Sequence, residues 1–473
     1  MAEPVQAGKA APAGDLGPNR GVNGVGGARQ SEAEAQEAAE LGTVLATTLR
    51  HFFPDLQAWL EEVNDPRDPE RIQFPAAFLL STGVFMFLTK LGARRQARFQ
   101  FNRPQMVSNI NTLAGTSVDK SAHSDTLEYY MRRVSPDDLG RVRTRMIRKL
   151  VRKRALDRYR VEGRYLVAAD GTGLVAYRKR HCDHCLTQKH GEVTIYYHLV
   201  LEAKLVTRDG MAFSIATEFV ENPGVDPDKQ DCERKAFARM APELKAAFPQ
   251  MSICMLLDGL YLTEPVMRRC RENNWAFVVT FKEGSAPAVW GEFMALQKLC
   301  PKNHLTRTTG GVRQEFRWAN DLEFGNETVS VIECVETARD GTVTRFAWAT
   351  NMHVDRHNVV SIANDAGRLR WKIENEGFNE QKNSGYNLEH AYSTNERAAK
   401  NYYILLQIAH AIETLIQKGN LLVRMVGRTI KEITGGVRAF AQYLKESLRN
   451  HLIDVQAVER TLARGIQIRF AST

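Results

Sequence analysis

Long hydrophobic runs are missing from this chain. The longest uncharged stretch, Phe74 to Thr89 (FPAAFLLSTGVFMFLT), falls short of the ~20 apolar residues a bilayer span requires and contains Pro, Ser, Thr and Gly. It reads as a buried helix, and no membrane contact is expected. Cysteine is scarce: seven residues at irregular spacing in a chain of 473 suggest no disulfide framework and point to free thiols in a reducing cytosol. Residues 1–40, rich in Gly, Ala and Glu, lack the apolar run of a signal peptide and read as a disordered tail. No internal repeat is visible. Acidic residues are outnumbered, 55 against 64 Lys and Arg, and the resulting charge of +9 favours a polyanionic partner.

Residues 41–160 show helical periodicity with no interrupting strand pattern. In VSPDDLGRVRTRMIRKLVRKRALDRYR, Ser135 is placed to cap a helix that begins with Pro136 and has two aspartates in its first turn. Val142, Met146 and Leu150 then form an apolar stripe. Thirteen Arg or Lys against four Asp or Glu between Arg132 and Arg164 give an excess of nine, equal to the surplus of the whole chain. Arg145, Arg148, Lys149, Arg152 and Lys153 are therefore candidate phosphate contacts, against the plainer reading of a solvated surface helix.

From Tyr165 the pattern changes to strands. RYLVAAD, TIYYHLVLEAKLV (194–206) and MAFSIATEFV (211–220) come first, the last two joined by the turn TRDG. A helix with Phe237, Met240, Leu244 and Phe248 on one face follows, then the strand SICMLLD, the helix EPVMRRCRENN and the strand WAFVVTF. Three sequential strands followed by strands alternating with helices predict a mixed α/β sheet in the order of the RNase H-like fold. Residues 284–351 read as a β-rich insertion, and 393–473 as a helical C-terminal region. The catalytic core would then comprise 161–283 and 352–392.

Two-metal phosphodiester chemistry needs clustered carboxylates holding ions about 3.5–4 Å apart. Asp170 and Asp258 end the first and fourth strands, which are parallel neighbours in such a sheet, and Glu374 on the late helix RLRWKIENEGFNEQK is the candidate third ligand, with Glu376 its rival. Each acid also has an ordinary reading. Asp170-Gly171 is a turn signal, and Glu374 near Arg370 and Lys372 suits a surface ion pair. Cys182-x2-Cys185, in HCDHC with His181, His184 and His190 nearby, is half a zinc site with no second pair at the usual spacing. Reduced thiols on a loop are the preferred reading, and zinc is not expected. Trp318 and Trp348 are candidate base-stacking wedges, though core packing is favoured for both.

The three acids, their strand order, the β-rich segment and the RLRWKIENEGFNEQK helix together resemble the DDE transposases of bacterial insertion sequences. The closer resemblance is to the group with an all-β domain interrupting an RNase H-like core and a Tyr-x2-Arg-x3-Glu-x6-Lys pattern around the last acid. EFVENPGVDPDKQDCERKA and LLDGLYLTEPVM share the look of that group, and the likeness covers roughly residues 165–418. It implies a metal-binding triad of Asp170, Asp258 and Glu374 holding two Mg ions, with Mn as a substitute. It also implies phosphate contacts from Arg370, and from Arg368 and Lys382 near it. The tyrosine position is Gly367 and the lysine position Gln381, with Lys382 one residue late. Double-stranded DNA, as terminal inverted repeats and target, would be the partner, bound by a homodimer or larger assembly in the cytoplasm. The alternatives are an RNase H-fold nuclease without strand transfer and a non-catalytic DNA-binding descendant.

Overall fold

A computed structural model describes residues 40–225, 229–427, 432 and 437–470. Residues 1–39 of the expected tail lie outside them. Among the described residues no helix is long and apolar enough to cross a membrane; the apolar run forms the helix α1 (Ala76–Leu88), buried along most of its length. All seven cysteines are free thiols.

The centre is a ten-stranded mixed sheet: β1 (Tyr165–Tyr177), β2 (Leu186–His190), β3 (Val193–Val206), β4 (Ala212–Val220), β5 (Ile253–Leu257), β6 (Ala276–Thr280), β7 (His304–Thr309), β8 (Val312–Phe324), β9 (Glu327–Thr337) and β10 (Val343–Thr350). The order across it is β2-β3-β1-β5-β6-β10-β9-β8-β7, with β4 also paired to β3. β1, β5 and β6 are mutually parallel, and the other pairings are antiparallel. The sequence accounts for the parallel part. β5 and β6 are continuous apolar runs because both faces are covered, and the helices α3 (Glu233–Ala247) and α4 (Glu264–Glu272) make the crossovers.

Two expectations need correction. Asp170-Gly171 is not a turn: β1 runs through it to Tyr177, paired with β3 along the way. Nor is the segment 284–351 all-β, since it opens with the helix α5 (Pro287–Leu299). Its four strands continue the central sheet through the β10–β6 pairing, so the polar groups on that edge of β6 are satisfied by a strand instead of being left open.

The helical regions on either side of the sheet sequence pack together. α6 (Glu396–Lys418) is buried on nearly every side. It lies against α1, against the basic helix α2 (Pro136–Arg152) and against β4. Several of its buried polar residues find partners. Asn401 donates to the carbonyls of Met131 and Val134, Gln407 exchanges hydrogen bonds with Gln381 at 2.9 and 3.1 Å, and Glu413 pairs with Lys90.

Candidate active site

β1 and β5 bring the two aspartates together by register. The pairing steps residue for residue from Tyr165 with Ile253 to Ala168 with Leu256. Two further steps bring Asp170 level with Asp258, just past the end of β5. Neighbouring strands are about 4.8 Å apart and residues level with each other share a face, so the two carboxylates leave the sheet side by side. Asp170 Oδ1 accepts from its neighbour's amide, Gly171 N, at 2.9 Å. Asp258 caps the 3-10 turn Gly259–Tyr261, its Oδ1 accepting from Leu260 N at 2.9 Å.

The late helix closes the site from above. It is not a regular α-helix: wide π turns over Ser361–Ala366 and Ile373–Asn379 flank a 3-10 turn at Gly367–Trp371. From it, Arg370 Nη1 donates to Asp170 Oδ2 at 3.2 Å and to Glu374 Oε1 at 3.0 Å. The guanidinium is almost fully buried. Glu376 points elsewhere, to Lys372 and toward Gly210. Of the two candidate third acids, Glu374 is the one beside Asp170.

A side chain at Gly367 would run into the indole of Trp348, whose Nε1 lies 2.6 Å from where a Cβ would sit; the tryptophan fills the space a tyrosine there would need. Gln381 is fully buried on Gln407, so it faces the core. Lys382 is ion-paired with Glu389 at 2.7 Å, and Arg368 with Glu336 at 2.6 Å while lying over the Phe346 ring.

Sequence inspection missed a fourth acid. Glu233, at the start of α3, approaches β1 directly over Gly171, where a Cβ would lie 2.3 Å from its Oε1. Only glycine at 171 leaves room for it. Tyr261 donates its hydroxyl to Glu233 Oε2 at 3.0 Å. Burial, then Glu233, Asp170 and Asp258, push the Tyr261 phenol up. Burial, and after it Asp258, also raise Glu233, against the pull of the Tyr261 hydrogen bond. Asp170 is pushed up to about 7. Burial is the largest cause, and Glu374 and Glu233 add to it against the opposing charge of Arg370. Arg370 meets two of these carboxylates, Asp170 and Glu374, while Glu233 adds its charge to Asp170 from the other side. Carboxylate oxygens are donors of the kind that hard cations such as Mg or Mn take, and not those a thiolate-seeking metal prefers.

The basic helix α2 forms with the expected cap, Ser135 Oγ accepting from Asp137 N at 3.3 Å, and buries Val142, Met146 and Leu150. Most of its candidate phosphate contacts have partners within the chain. Arg145 pairs with Glu62, Lys149 with Asp55 at 2.7 Å, Arg148 donates to the Ala247 carbonyl at 2.6 Å, and Lys153 donates to the His51 carbonyl. Arg152 stays exposed. Trp318 and Trp348 are buried, as core packing requires, whereas Trp371, not singled out in the sequence, is 56% exposed beside Arg370.

Cys182 and Cys185 lie on the loop between β1 and β2, and there the fold supplies what the spacing lacked. His198, on β3, turns into the same loop and joins His181 and the two thiols, with one donor atom from each of the four residues all within 4.8 Å of one another. The chain matches no protein-family model and no curated protein.

Proposed function

We propose that the protein is a DDE-type DNA transposase whose chemistry is carried by Asp170, Asp258 and Glu374. The observation that carries the reading is Arg370 bridging Asp170 on β1 and Glu374 on the late helix, with the β1–β5 register setting Asp258 level with Asp170. The order β4-β3-β1-β5-β6, with β1 and β5 parallel neighbours, supports an RNase H-like core. Asp170, Asp258 and Glu374 would hold Mg or Mn, which when bound supplies Lewis acidity at a scissile phosphodiester. Asp170 must give up its proton to serve as a ligand. Arg370, once freed from the two acids, offers a planar pair of donors to a phosphate. Glu233, tied to the Tyr261 hydroxyl, adds a further carboxylate near Asp170 from the other side. Trp371 offers an exposed ring to an unstacked base.

The test is a plasmid bearing the DNA ends that flank this gene, incubated with the chain and Mg. Cleavage at the ends with strand transfer and a short target duplication is expected, from an assembly that joins two ends and so contains at least two protomers. Cleavage without transfer would favour a nuclease. Undiminished cleavage by Asp170→Ala, Asp258→Ala and Glu374→Ala would refute the site.

A further inference from the structure

We propose that His181, Cys182, Cys185 and His198 bind a single structural zinc ion that staples the outer end of the β1–β3 ribbon. One donor atom from each of the four residues lies within 4.8 Å of the other three, close enough for a single ion to draw them into a tetrahedron. The two sulfurs are 3.3 Å apart, Cys182 Sγ is 3.4 Å and Cys185 Sγ 3.7 Å from His198 Nε2, Cys185 Sγ is 3.4 Å from His181 Nδ1, and the two Nε2 atoms are 3.3 Å apart. Zinc with Zn–S near 2.3 Å and Zn–N near 2.0–2.1 Å has tetrahedral edges of about 3.3–3.8 Å. Four protein ligands leave no open position, which is the mark of a structural site and not a catalytic one.

The surroundings hold the donors in place. The amide of His184 points at the Cys182 sulfur, as backbone N–H groups do in Cys-x2-Cys turns, and Asn222 fixes the turn by donating from Nδ2 to the Cys185 carbonyl at 2.9 Å. His184 itself is turned away to the Asn222 carbonyl at 2.8 Å, so it is not a ligand. Cys185 is completely buried, and the Tyr177 ring packs on His181 with centroids 4.0 Å apart.

The fold gives a reason for a staple here. β1 pairs with β5 only as far as Ala168, while β1 and β3 continue outward together to Tyr177 and Tyr196 and take on β2. The outer residues of β3, from Val193 to Leu199, are exposed or half-buried, so this three-stranded ribbon has little core of its own. A metal cross-link between the β1–β2 loop and β3 supplies what burial does not. Binding releases a proton from each thiol, and two thiolates with two neutral imidazoles balance the charge of the ion. The metal site is separate from the acid cluster and does not depend on the transposase reading.

The test is elemental analysis of the full chain purified under reducing conditions and dialysed against metal-free buffer. One zinc per chain is expected. Cobalt(II) exchanged into the protein should give the intense visible bands of tetrahedral coordination with thiolate charge transfer. Cys185→Ser and His198→Ala should each lose stoichiometric metal, whereas Cys300→Ser, at an exposed and distant thiol, should keep it. A folded wild-type chain that lacks zinc and takes up neither zinc nor cobalt would overturn the proposal. So would full zinc retention by the Cys185→Ser/His198→Ala double variant, or a Cys182–Cys185 disulfide in the reduced preparation. The wild-type measurement decides the matter even if the variants fail to fold.

Discussion

Asp170 and Arg370, 200 positions apart in sequence, share a hydrogen bond of 3.2 Å on the open end of the parallel strands. The same nitrogen of Arg370 reaches Glu374, so one guanidinium holds together two acids that would otherwise repel. Burial, against the opposing charge of Arg370, leaves Asp170 short of full ionisation near neutral pH. That balance makes Asp170 sensitive to pH.

The first prediction concerns stability. In the folded chain Asp170 holds its proton up to about pH 7, against 3.8 for an ordinary aspartate. The stabilisation from its protonated form is therefore fully present below pH 4 and is lost as pH rises through about 7. Asp170→Asn should accordingly stabilise the metal-free chain above pH 7 and leave it unchanged near pH 4. Each tenfold difference in proton affinity is about 1.4 kcal/mol, so the gain is on the order of a few kcal/mol at most. Urea unfolding of both chains at the two pH values measures it.

Glu374 and Glu376 should separate cleanly. Glu374→Gln removes a carboxylate beside Asp170 and is expected to abolish metal-dependent cleavage. Glu376→Gln breaks only the pair with Lys372 and should leave cleavage intact, at a stability cost of about 0–1 kcal/mol. Equal losses in a cleavage assay would mean that Glu374 has no special role.

Gly171 and Glu233 should behave as a coupled pair. A methyl group at 171 collides with the Glu233 carboxylate and pushes it off Tyr261. Gly171→Ala is expected to cost about 1–3 kcal/mol in the wild type, and clearly less in a Glu233→Ala background. Additive losses in a double-mutant cycle would contradict the contact.

Trp371 should matter to DNA and not to folding. With 56% of its surface exposed it contributes little to the core, so Trp371→Ala should leave the melting temperature unchanged. Binding to single-stranded DNA should weaken by about 1–3 kcal/mol if the ring stacks on a base. Fluorescence anisotropy and a thermal melt together check both parts.

Much of this was legible in the sequence because its signals are local. Apolar runs marked β5 and β6, TRDG marked the turn between β3 and β4, and Ser135-Pro136 marked the start of α2. Asp170 and Asp258 could be brought together because strand order fixes which ends are neighbours. What escaped was set by tertiary contact. Asp170-Gly171 has the composition of a turn, yet the glycine serves the approach of Glu233 and the strand continues through it. Helix α5 went unseen within a segment whose neighbours all read as strands. His198 looked like one more strand residue in TIYYHLV, 13 positions from Cys185, until the β2–β3 pairing folded it back onto the loop. The basic run of α2 showed its charge but not its partners, which come from Asp55, Glu62 and the end of α3.

The central claim is that Asp170, Asp258 and Glu374 form one divalent-cation site, and calorimetric titration of Mn or Mg into the wild-type and Asp258→Ala chains tests it most directly. The expected result is saturable binding by the wild type that weakens as pH falls through about 7 and disappears in the variant. Binding that is undiminished in Asp258→Ala, and likewise in Asp170→Ala and Glu374→Ala, would contradict it.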